Sequence, residues 1–189
     1  AAAVRSALIN PWAGFFGSVD PAGFITIDKP PVGIWVQALF AAILGYREWI
    51  CVLPQALAGI GCVVLIYAIV SRPFGKPAGL VSALALAVTP IFVAISRNET
   101  MDAQMIFVIL LAVWAALKAA REQSLPYLLA AAALTGLAFN IKMIQAFIIV
   151  PAVFVIYLWG AAGLAWKQRV LHLALAAIVL VAVSLSWAL

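Results

Sequence analysis

Six apolar runs recur along this chain, at about residues 52–70, 78–95, 103–120, 125–139, 143–159 and 170–189, with only short polar breaks between them. An α-helix rises about 1.5 Å per residue, so ~17–25 apolar residues cross the ~30 Å hydrocarbon core of a bilayer. In lipid, backbone polar groups must be satisfied within the protein, which makes helices the spanning structure for runs of this kind. Composition argues against a greasy soluble bundle. Hydrophobic residues make up 68% of the 189 and charged residues 9%, with mean hydropathy +1.21. Soluble domains carry roughly 25% charged residues. So few charges do not cover a water-facing surface. The predicted class is all-α, a polytopic transmembrane helix bundle of about six spans in one membrane domain over 1–189.

The first 51 residues differ from the rest. Pro11–Pro31 mixes Trp12, Phe15 and Phe16 with glycine, proline, Asp20 and Asp28. Residues 32–46 are apolar but too short to span, and are read as a helix lying at the membrane interface, anchored by Trp35 and Tyr46. The expected organisation is a loop over 1–51 followed by six helices over 52–189. The fourth run is short, so Asn140 and Lys142 are expected at membrane depth beside a protein-lined cavity. The stretch 125–159 is too long for one helix, and two spans are expected to meet at Asn140-Ile141-Lys142. Pro54, Pro77 and Pro126 sit near the starts of runs, where a missing N–H costs little. Pro90 and Pro151 lie inside runs and are expected to kink them. The chain starts at Ala1 and stops inside an apolar run at Leu189, so a first span before Ala1 and further spans after Leu189 are expected.

The net charge of +5 does not point to nucleic acid, because the basic residues stand singly between apolar runs. They read as topology signals. The breaks alternate in chemistry. Arg72/Lys76, Lys118/Arg121/Glu122 and Lys167/Arg169 are basic with one acid. The region before residue 52, then Arg97/Glu99/Asp102, then Asn140/Lys142 carry the other basic residues interleaved with five acids. The positive-inside rule makes the first set cytoplasmic and the second extracytoplasmic. Cys51 and Cys62 have no metal-ligand or disulfide spacing, and His172 reads as an interfacial residue.

Three polar clusters fall on the acid-bearing side: Thr26–Pro31, Ser96–Asp102 and Asn140–Gln145. Charges beside spans are costly and are usually paired or functional. Lys29, Arg97 and Lys142 suit a phosphate, as point charges and a bidentate fork. Asp28, Glu99 and Asp102 suit sugar hydroxyls, a divalent metal, or the task of holding the basic side chains. Each cluster also has a plainer reading: a solvated Asp28–Lys29 pair, charges that cap a helix N-terminus at Asp102, and a snorkelling Lys142. Their convergence on one side favours function.

At these residues the chain resembles the GT-C membrane glycosyltransferases of the protein O-mannosyltransferase / aminoarabinose transferase superfamily (glycosyltransferase family 39-like), in particular the bacterial mannosyltransferase-like group. The resemblance is carried by Ala2–Ser6, by Phe24–Pro31 with Trp35, by Leu53–Gly59, by Arg97–Asp102 and by Gly136–Lys142. It implies a transferase of the cell envelope, multi-pass in the plasma membrane, that takes a sugar from a polyprenyl-phosphate donor on the extracytoplasmic face. The acceptor would be a protein, a lipid or a glycan, and membrane lipids are the other partners. Lys29 would contact the donor phosphate with Asp28 in support. Arg97, Asn98, Glu99 and Asp102 would form the second outer element, and Asn140 and Lys142 the third edge of the cavity. The general-base aspartate of such enzymes is expected upstream of Ala1, so no catalytic base is named in this chain. No cofactor is implied, and the acids leave room for a divalent metal. A transporter or lipid-linked-sugar flippase is the competing reading, with a noncatalytic assembly subunit as a third.

Overall fold

In the computed structural model, which describes residues 1–187, the chain is helical with one isolated antiparallel bridge, Ser18 to Thr26. It packs as two compact units. The first comprises Ala1–Phe107 with Asn140–Met143, and the second Val108–Phe139 with Ile144–Leu189.

In the first unit, two short helices, α1 (Ala2–Ile9) and α2 (Pro11–Phe15), lead into the bridged loop and then α3 (Val32–Leu44). At 13 residues, α3 reaches only about 20 Å, short of the ~30 Å hydrocarbon core. Helix α4 (Glu48–Phe74) is long and apolar enough to cross. Glu48 in its first turn and Arg72 in its last match the helix dipole. Leu57, Ile60 and Val64 are exposed along one stripe, as a lipid-facing surface requires. Because α4 begins before the apolar run does, Pro54 lies inside the helix. Its ring removes the N–H that would bond the Ile50 carbonyl, so the expectation of a harmless N-terminal proline fails there.

A single residue, Gly75 (φ +86°), separates α4 from α5 (Lys76–Val88). A Cβ added at Gly79 would fall 2.7 Å from the Ser71 Cβ and 3.1 Å from the Tyr67 carbonyl oxygen. Only glycine allows this close crossing of the two helices. The second apolar run does not kink at Pro90 but breaks, ending α5 and opening α6 (Pro90–Ile95) with proline in its first turn.

Helix α7 (Asp102–Glu122) crosses next. Leu125–Gly160 is long and apolar enough to cross but folds back on itself at its polar centre, Asn140–Lys142. It comprises α8 (Leu125–Lys142), a 3-10 segment (Met143–Ile149) and α9 (Val150–Gly160). Leu128, Ala132 and Thr135 share one cavity wall with Val150, Val153 and Phe154. In a straight helix Leu128 and Phe154 would stand about 39 Å apart. The reversal follows Lys142, at Met143 (φ +62°), where the two expected spans meet. Pro151 stands in the first turn of α9, so the second run-internal proline also starts a helix. Helix α10 (Trp166–Leu185) completes the second unit, with a core rich in alanine: Ala116, Ala119, Ala131 and Ala161 pack around Leu128 and Tyr157. The Arg169 guanidinium donates to the carbonyls of Leu164, Leu158 and Ala162 at 2.8, 2.8 and 2.6 Å, capping the end of α9. His172 is half-buried, with Nδ1 2.7 Å from the Tyr157 hydroxyl, and is a packing partner within this unit. Among the described residues, the six apolar runs thus form helical segments, the second broken at Thr89-Pro90.

Candidate functional site

The acid-bearing end of the first unit is built by the starts of α3 and α7, the connection 96–101 and the last turn of α8. Asp102 opens α7, where its carboxylate meets the positive helix end. Lys142 closes α8 and donates to the Asp102 Oδ1 as an ion pair. The two side chains are only 18% and 22% exposed, so each compensates a charge that would be costly alone. This is the one pairing of basic and acidic candidates from separate sequence clusters among the described residues.

The connection leading to Asp102 is held from several directions. Asn98 Oδ1 accepts from the Thr100 N–H at 2.9 Å and from its hydroxyl, a local turn that competes with helix. The Glu99 carbonyl accepts from the buried Gln37 Nε2 at 3.0 Å, which ties α3 to the connection. Gly33 lies against Met101, whose Sδ a Cβ would meet at 2.2 Å. Within the first turn of α7, Gln104 Nε2 donates to Gln55 Oε1 of α4 at 3.0 Å, and both amides are buried. The second polar atom of each amide, Gln55 Nε2 and Gln104 Oε1, has no hydrogen-bond partner among the described residues.

Asp28 and Lys29 form their own pair at 3.9 Å, with Asp28 86% exposed and Lys29 39%. Their loop is anchored by the Ile27 N–H to the Gly17 carbonyl at 3.1 Å and by Trp35 Nε1 to the Gly14 carbonyl at 3.0 Å. In the same loop the half-buried Asp20 accepts three backbone N–H groups, from Ile25, Ala22 and Phe24. These hold its carboxyl below the ordinary value, the Ile25 bond most of all. Asn140 is buried in the last turn of α8. Arg97 makes no ion pair or side-chain hydrogen bond among the described residues. It lines a groove that holds none of the other candidates. Among the described residues no three Asp, Glu, His or Cys side chains are grouped to hold a metal ion.

Three buried glutamines therefore belong to this framework, although only Gln55 lies in a stretch that carries the family resemblance and none was a candidate site residue. The available signal was an uncharged amide inside an apolar helix, which is costly unless it finds a partner.

Residues 28–187 match the family described as dolichyl-phosphate-mannose-protein mannosyltransferase. The chain belongs to that family. It is 44% identical over 188 residues to YycA and 45% identical over 188 residues to YkcB, both of Bacillus subtilis (strain 168) and both named as mannosyltransferases. Those alignments cover 100% of this chain but 27% and 26% of the relatives. The chain thus spans about a quarter of the length of these curated relatives. Its fold is similar to the crystal structure of ArnT from Cupriavidus metallidurans in the apo state. That match has a TM-score of 0.76 at 22% identity, and covers 98% of this chain and 35% of the other. The family membership and the shared helical-bundle fold bear out the resemblance read from the sequence, and the chain is part of a multi-pass membrane protein.

Proposed function

We propose that this chain is part of an integral membrane glycosyltransferase that moves a sugar from a polyprenyl-phosphate donor to an acceptor on the extracytoplasmic face. The Asp102–Lys142 pair carries the proposal. It brings an ammonium and a carboxylate from helix ends 40 residues apart to one half-buried place at the acid-bearing end of the bundle. Family membership supports the reaction class, and the sidedness is supported by the five acids interleaved with lysine and arginine at this end, against a single acid among the basic residues at the other.

In this reading phosphate is the leaving group, so negative charge concentrates on it in the transition state. Cations fixed beforehand stabilise that charge more than they stabilise the ground state. Lys142, held by Asp102, and Lys29, on its anchored loop, supply those cations, with Asp28 supporting Lys29. An incoming phosphate competes with Asp102 for Lys142, which frees the carboxylate for a sugar hydroxyl. Asn98 and Glu99 fix the connection that sets Asp102, and Asn140 sets the last turn of α8 beneath Lys142. The donor's lipid tail stays in the bilayer, so a site at the membrane surface avoids the cost of extracting it.

The test uses the full-length protein in liposomes with a panel of radiolabelled polyprenyl-phosphate sugars. One donor is expected to turn over, with Lys29→Ala and Asp102→Asn each slowing transfer by about 10²-fold or more. Movement of donor between leaflets without transfer would replace this reading with a flippase.

A further inference from the structure

On the first unit, a groove of about 340 Å³ runs between α4 and α5–α6, lined by Ala56, Ile60 and Val63 on one side and Ala87 and Val93 on the other. Its polar lining is confined to one end, at Ser96 and Arg97. The Ser96 hydroxyl donates to the Phe92 carbonyl at 2.8 Å, which leaves its oxygen able to accept. Arg97 follows the end of α6 with its guanidinium unpaired among the described residues, while its neighbour Asn98 accepts from Thr100. Gly59 sets the depth of this corner, because a Cβ there would meet Ser96 Oγ at 2.6 Å. From Ala56 to Val63 the wall runs about 10 Å along a membrane-crossing helix.

An apolar trough with one uncompensated cation at the end of a span matches one kind of molecule in a bilayer. That molecule has a hydrocarbon chain and a phosphate headgroup. We propose that this groove is a binding site for an anionic diacyl phospholipid of the phosphatidylglycerol class, with its phosphate on Arg97 and an acyl chain along α4. Guanidinium prefers phosphate through two parallel N–H···O bonds. A net-negative headgroup leaves the site neutral, whereas a zwitterionic one brings a second cation next to Arg97. Basic pockets between spans recognise anionic headgroups in this way. The groove shares no residue with Lys29, Asp102 or Lys142, so the inference does not rest on the donor reading.

The experiment is native mass spectrometry of the full-length protein released from nanodiscs that contain equal phosphatidylglycerol and phosphatidylethanolamine of matched chains. Undecaprenyl phosphate is added in a second arm. Wild type is expected to retain phosphatidylglycerol preferentially, and Arg97→Gln to retain about tenfold less, the loss expected for one charge-assisted contact. Ile60→Trp keeps the charge but fills the trough, and is expected to lower retention with helix content unchanged. It carries the test if Arg97→Gln fails to fold. Equal retention by wild type and variants, no preference between the two phospholipids, or displacement by undecaprenyl phosphate would overturn the proposal.

Discussion

Asp102 and Lys142 are each half-buried and each is the other's ion-pair partner, so they are best understood together. Removing one charge leaves the other uncompensated in a poorly solvated place, while removing both leaves neither. Lys142→Met alone is therefore expected to destabilise by about 1–3 kcal/mol. The double variant Asp102→Leu/Lys142→Met should recover most of that stability without recovering sugar transfer. Thermal unfolding in detergent, scored beside activity, checks both halves. Asp20 makes a different kind of prediction. Its carboxyl is lowered in the folded loop, so its contribution is complete above the ordinary value of 3.8. The contribution is lost as pH falls through the lowered folded value. Amide exchange at Ile25 should stay slow down to about pH 4 and quicken below it, and Asp20→Asn should exchange faster at neutral pH. The sequence placed Asp102 and Lys142 on one side but left Lys142 free to pair with phosphate, solvent or any of three acids. Spacing within a segment is readable, whereas partnership across 40 residues depends on how α8 packs. The Gln37, Gln55 and Gln104 bonds went unread for the same reason.

Elements were more legible, because lipid imposes a one-dimensional rule. A segment that crosses must be apolar for about 20 residues, a length that α4, α7 and α10 reach as single helices, whereas the second run is divided between α5 and α6 and the fourth is short. What could not be read was how prolines inside runs act. Pro90 and Pro151 each sit in the first turn of a new helix, where the missing N–H has no partner to lose. Pro54 is buried within α4 because that helix extends back to Glu48. Whether a run ends or continues at proline depends on neighbouring helices that satisfy the freed carbonyls. The α4–α5 crossing offers an element-scale test. Gly79→Leu places a branched side chain where the Ser71 Cβ and the Tyr67 carbonyl already stand. It should cost about 1–3 kcal/mol through overpacking. Limited proteolysis of the full-length protein should then show new cleavage at the Gly75 turn.

For the whole molecule, the apolar exterior and the alternation of charge between helix ends make one arrangement in the bilayer preferable. Cysteine scanning tests it, because Cys51 and Cys62 are buried and leave a low background. Ala22→Cys is expected to react with an impermeant thiol reagent on intact cells. Lys167→Cys should react only after permeabilisation, and the reverse pattern would invert the proposed sidedness. The connection between α4 and α5 has a bearing on how such a protein is made. With Gly75 alone between them, neither helix can wait in water while the other settles into lipid. The two are therefore expected to leave the insertion machinery together as a hairpin, its arms closing where Gly79 meets Ser71 and Tyr67.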